Sequence, residues 1–200
     1  MSKPVETSEQ TPESSARRFA TPRGWEAWLD KNHANADGLW LLISRPGAEK
    51  GSVSYAEALE VALCHGWIDG QKKGLDEHHW LQRFTPRRAR SIWSKVNREK
   101  VAALIAQGRM QAAGQHEIDR AKADGRWDQA YDSPRTASVP PDLQAAFDAA
   151  PAAAAFFKTL NGANRYAVLW RVQTAKKPET RERRIATLVA MLARHEKLHP

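Results

Sequence analysis

The chain has a single cysteine, Cys64, in 200 residues. One thiol excludes an internal disulfide framework and any cysteine-based zinc site. Long apolar runs are missing as well. Leu39–Ile43, five residues, is the longest clear one, far short of the roughly 20 needed to span a bilayer as a helix. Residues 1–16 hold almost no apolar side chains. They lack the basic start and apolar stretch of a secretory signal, so a disordered tail and a cytoplasmic protein are expected. No HExxH spacing occurs. His78 and His79 are strand neighbours pointing to opposite faces, so neither a metal nor a cofactor is expected. Internal repeats are absent too.

What is present fits an ordinary globular chain. Hydrophobic residues make up 42% and charged residues 27%, close to soluble averages. Folding a chain of this length buries about 70% of its surface. Thirty-one basic residues face 23 acidic ones, a net charge of +8. The excess is local. Between residues 82 and 110, Arg83, Arg87, Arg88, Arg90, Lys95, Arg98, Lys100 and Arg109 are opposed by Glu99 alone.

Periodicity points to an α+β fold, mainly helical. A small antiparallel sheet is expected from 39–44, 67–72 and 77–84, covered by helices. Thr21-Pro22 reads as a helix start. Ser54-Tyr-Ala-Glu57 is a capping box before an amphipathic helix. Helices are expected from Ile92 to Gln107 and after Gly114. The expected organisation is a tail at 1–16, an α+β core at 17–127, a linker at 128–140 and a helical C-terminal subdomain at 141–200 packed on the core.

The main candidate site is Thr85–Asn97. Arginines ahead of a helix N-terminus are unfavourable unless an anion sits between them. Arg83, Arg87 and Arg88 would supply charge, and Ser91, Ser94 and Asn97 would orient the ligand. Trp93 would stack on it, the one tryptophan of eight suspected of function; the others read mostly as core anchors. Asp69 and Gln71, alternating to one strand face, would form the pocket floor. Cys64 and His65 are helix neighbours that do not face each other, so a Cys–His nucleophile is not expected. The helices at 92–107 and 114–124 make a poor helix-turn-helix, because the second is too acidic for a recognition helix.

Several motifs together resemble one family. They are Leu63-Cys-His-Gly-Trp-Ile-Asp-Gly-Gln71, Arg83-Phe-Thr-Pro-Arg-Arg88, Ser91-Ile-Trp-Ser-Lys-Val-Asn97, Gly108-Arg-Met110, Ala121-Lys-Ala-Asp-Gly-Arg-Trp127 and Ala175-Lys-Lys-Pro-Glu-Thr-Arg181. In order and combination they look like the YdeI/OmpD-associated, or bacteriocin-protection, family, over roughly Arg17 to Leu192. The resemblance implies a small bacterial protein linked to protection against antimicrobial peptides. It brings no catalytic residues, cofactor or substrate. The expectation is therefore a non-enzymatic stress or bacteriocin-protection protein binding a small anionic ligand or peptide. Nucleic-acid binding through the same basic segment, an enzyme with a pocket around Asp69, and an interaction scaffold are the alternatives. The oligomeric state stays open.

Overall fold

The computed structural model describes residues 12–48 and 51–200. The expected tail falls largely outside the described residues. Its last part, Pro12–Ser15, forms a short helix, α1. The chain divides into two compact units. One comprises the described residues up to Ser91 together with Glu99–Asp124; the other comprises Ile92–Arg98 and Gly125–Pro200. In this division residues 92–98 fall with the C-terminal helices, and the chain passes between the units after Ser91, Arg98 and Asp124.

The first unit is the α+β one. Helix α2 (Pro22–Asn32) begins where Thr21 Oγ1 accepts the Gly24 N–H at 3.2 Å, with proline at its first position. It buries Trp25 and Leu29 completely. Strand β1 (Leu39–Ser44) follows. Helix α3 (Tyr55–Cys64) opens on the reciprocal Ser54/Glu57 capping box and buries almost every later side chain. Gly66 stops it with φ +74°, a conformation that side chains disfavour. Strands β2 (Trp67–Gly74) and β3 (His79–Pro86) complete an antiparallel sheet of order β1-β3-β2. Trp25 stacks on Trp28 at 5.3 Å and meets Trp67 edge-on at 6.1 Å. The indole N–H groups of Trp25 and Trp67 donate to the carbonyls of Ala58 and His33, so burying them leaves no unmet donor there.

A β-bulge interrupts β2 between Asp69 and Lys72. Two residues there oppose one on β3. The buried Gln82 side chain pins the bulge, its amide donating at 3.1 Å to the carbonyls of both Gly70 and Gln71.

Helix α4 (Lys95–Ala106) starts in the second unit and ends in the first. It begins three residues later than expected, because Ser94, just before it, is bridged to Tyr131 instead. Tyr131 N–H donates to Trp93 O at 3.0 Å, and Lys95 N–H donates to Tyr131 O at 2.9 Å. Helix α5 (Ala112–Ala123) contains Gly114 rather than following it. Here the backbones touch. A Cβ on Gly114 would sit 2.7 Å from Leu63 O and closer still to Cys64 O.

The second unit is helical beyond Pro140: α6 (Pro141–Asp148), α7 (Pro151–Thr159), α8 (Gly162–Gln173) and α9 (Pro178–Ala193). Proline opens three of them, where its missing N–H costs nothing; Asn161 caps the fourth by accepting the Asn164 N–H at 2.9 Å. Leu143, Phe147, Phe157, Val168, Leu188 and Leu192 lead the core of this unit. Among the described residues, no helix is long and apolar enough to cross a membrane.

Gly114→Ala should destabilise the protein by about 1–3 kcal/mol, because backbone carbonyls cannot yield as a side chain would. Chemical denaturation measures this; an unchanged midpoint would contradict the close approach.

Candidate functional site

The basic segment Arg83–Arg90 lies in the first unit, and its arginines differ in environment. Arg83 is half-buried, its guanidinium 6.0 Å from the Trp40 ring. Arg87 is buried, 6% exposed, and its N–H donates to Gly66 O at 2.9 Å. Arg88 and Arg90 are exposed. Ser91 closes the turn between them: its Oγ accepts the Arg88 N–H at 3.0 Å. Leaving the strand at Pro86 sends successive side chains inward and outward, so Arg87 and Arg88 do not form a pair on one surface.

Asp69 and Gln71 do not share a face as alternation implied. The bulge places the Gln71 side chain in solvent. Asp69 is half-buried and accepts the Tyr55 hydroxyl at 2.8 Å. Tyr55 also lines a cleft of about 660 Å³ with Lys72 and Trp80, where the Lys72 ammonium lies 4.1 Å over the Trp80 ring.

Trp93, Ser94 and Asn97 belong to the second unit. Trp93 is 1% exposed and packs against Trp127 at 5.1 Å. Its ring is a core element, which corrects its expected role as a stacking platform. Ser94 caps α4: its Oγ accepts the Asn97 N–H at 3.1 Å. The exposed tryptophan is instead Trp170, at 37%.

What the second unit offers is a polar cleft of about 390 Å³. Its walls come from Lys95 in the first turn of α4, the 126–132 segment, the C-terminal end of α8, and Lys176 and Arg181 around the start of α9. Four basic side chains (Lys95, Arg126, Lys176, Arg181) meet two acidic ones, Asp128 and Asp132. Arg126 is 5% exposed, whereas Lys176 is exposed. Lys95 Nζ lies 2.7 Å from Asp132 Oδ1. The Asp132 N–H donates to Gln173 Oε1 at 3.0 Å. The Tyr166 hydroxyl donates to the Asp132 carbonyl at 2.9 Å. Burial, helped by Tyr131 and Asp132, pushes the Tyr166 phenol up to about 12, so it stays a donor throughout the neutral range.

Arg181 is the most committed of the cations. Its Nε and Nη2 donate to Asp142 at 2.5 and 2.9 Å, and its Nη1 donates to Val172 O at 2.8 Å. The hydrogen bonds from Arg181 hold the Asp142 carboxyl below its ordinary value. Sequence reasoning missed this cleft. The signal was nevertheless there, since Arg126 lies in the Ala121–Trp127 motif, and Lys176 and Arg181 lie in the Ala175–Arg181 motif.

Nucleophilic chemistry finds little support around Cys64. Burial pushes its thiol up to about 11, so almost no thiolate exists at neutral pH. His65 is buried, with Nε2 2.9 Å from Asp30 and Nδ1 2.9 Å from Val61 O, a bracing role between α2 and the end of α3. Among the described residues, no group of three or more His, Cys, Asp or Glu side chains is arranged to hold a metal ion.

Two outcomes are expected. Cys64 should react with a thiol reagent roughly 100-fold more slowly in the native than in the denatured protein; equal rates would show an open, ionised thiol. Asp142 is depressed in the folded state, so its stabilising contribution is complete above the ordinary aspartate value of about 4 and fades as pH falls through the lowered one. Wild type should therefore melt above Asp142→Asn at neutral pH and converge with it in acid; a constant gap would contradict the pairing.

Comparison with known proteins matches two segments of the chain to families. Residues 17–117 match the family described as Domain of unknown function (DUF8412). Residues 136–195 match the family described as Bacteriocin-protection, YdeI or OmpD-Associated. No curated protein and no solved structure matches the chain. The first match spans half the chain, so the chain belongs to the DUF8412 family; over residues 136–195 it is similar to the YdeI/OmpD-associated, bacteriocin-protection family.

Proposed function

We propose that this is a non-enzymatic bacteriocin-protection protein that binds an anionic ligand in the cleft of its second unit. The observation that carries the reading is the four-to-two excess of basic side chains around one cleft, with Arg126 buried among them. A buried guanidinium meets less screening than a surface one, so it acts more strongly on a carboxylate or phosphate. Gln173, Thr174, Lys176 and Arg181 fall inside the bacteriocin-protection match. Lys176 and Lys95 would grip the ligand, and Arg181, fixed by Asp142, would hold the wall. This moves the anion site from the arginines ahead of α4 to the cleft beyond its first turn.

Calorimetric titration with inorganic phosphate and with succinate tests this. Saturable binding is expected, weakened about 10-fold or more by Lys95→Ala/Lys176→Ala and little changed by Arg88→Ala/Arg90→Ala. Absence of saturable binding would overturn it. Suppose instead that duplex DNA binds, with an affinity falling by orders of magnitude between about 50 and 200 mM salt, and that the arginine pair abolishes binding. Then the basic segment is a nucleic-acid footprint and the cleft reading fails.

A further inference from the structure

Trp170 stands out because the apolar residues Val168, Leu169 and Val172 around it on α8 are buried. Val168 and Val172 are fully buried and Leu169 is 6% exposed, while Trp170 remains 37% exposed. It lines a cleft of about 610 Å³ in the second unit, together with Tyr131, Pro134, Tyr166, Arg171 and His199. That volume lies in the range of small-molecule sites, which are mostly apolar with a few placed polar groups.

The walls are fixed. The Tyr131 and Trp170 rings meet nearly at right angles, 6.4 Å between centroids and 83° between planes. Tyr166 is anchored through its hydroxyl to the Asp132 carbonyl. The far wall is held by Asn164, a buried side chain 1% exposed. Its Oδ1 accepts the Leu198 and His199 N–H groups at 3.1 and 2.9 Å, and its Nδ2 donates to His199 O at 3.3 Å. That clamp ties the chain's last residues to α8 and keeps His199 at the cleft. Among the described residues no Asp or Glu lines the cleft, while Arg171, which is exposed, does.

From this geometry we infer that the cleft is a second ligand site, specific for a planar aromatic carboxylate. A flat ring lying on the Trp170 face presents its edge to Tyr131, satisfying the offset and edge-to-face preferences of aromatic groups. It also removes from water the aromatic surface that the fold leaves exposed. The carboxylate meets Arg171 in a charge-assisted pair, and nothing acidic on the wall opposes it. A ligand with an aliphatic chain would use neither ring plane, and an aromatic cation would face Arg171. The site shares Tyr131 with the polar cleft but none of that cleft's basic residues.

Calorimetric titration with 2-naphthoate, beside its neutral isostere 2-naphthamide, tests the inference. 2-Naphthoate should bind saturably. Trp170→Ala should weaken it about 10-fold or more, and Trp170→Phe should restore most of the affinity. Arg171→Ala should weaken the acid about 10-fold and leave the amide unchanged. Lys176→Ala should leave both unchanged, separating this site from the phosphate cleft. Arg171 is exposed, so its variant should keep the wild-type melting temperature; Trp170→Ala gives up the ring contact with Tyr131, so its melting temperature is measured alongside and the titration run well below it. No saturable binding, an affinity indifferent to Trp170→Ala, or equal losses of acid and amide on Arg171→Ala would each overturn the assignment.

Discussion

Arg181 is the group on which the second unit turns. It sits in the first turns of α9, yet its guanidinium donates to a carboxylate in α6 and to the last turn of α8. Three helices meet at one side chain. A planar fork with donors in fixed directions can do this; an ammonium on a flexible stem cannot. The position is otherwise unsuited to a cation, because helix starts favour negative charge. Asp142 resolves the conflict by supplying that charge from a neighbouring helix. With Arg181 held there, the loop between α8 and α9 must cross the same end of the unit. Lys176 is thereby brought to a cleft that Lys95 and Arg126 also line.

The same principle sorts the other arginines. Arg98 donates to Trp127 O at 2.8 Å and lies 5.0 Å from that indole ring. Arg87 is drawn inside beside the turn at Gly66. Arg109 pairs with Glu60 at 2.9 Å. Much of the local basic excess is therefore structural, and only part of it is surface field. A count of charges along a sequence cannot separate the two, whereas burial can. This is why we place the proposed anion site in a cleft whose basic residues come from distant segments rather than in the arginine run ahead of α4.

Local signals were read well from the sequence. The capping box at Ser54, the proline starts and the apolar run of β1 all depend on neighbours within a few residues. The mainly helical α+β fold follows from them. Long-range pairing was not legible. Trp93 and Ser94 have a helical pattern, but Ser94 pairs instead with Tyr131, which delays α4, and Trp93 is buried. Trp170 sits in an apolar stretch and is still 37% exposed, at an open cleft that Tyr131 and His199 also line. Two buried amides escaped notice for the same reason. Gln82 lies among Trp80 and Phe84 on an inward strand face, and a glutamine in that position marks the bulge it fills. Asn164, the third residue after the Asn161 cap, clamps a segment more than 30 positions away. The candidate site failed to read out for want of topology: its parts come from residues 95, 126–132 and 173–181.

The central claim is that the anion site is the cleft around Arg126, not the arginine run before α4. Backbone amide NMR with inorganic phosphate tests it most directly, because each region reports separately. The account predicts saturable shifts concentrated at Lys95, Arg126–Asp132 and Gln173–Lys176. Shifts confined to Arg83–Ser91, with the cleft silent, would contradict it.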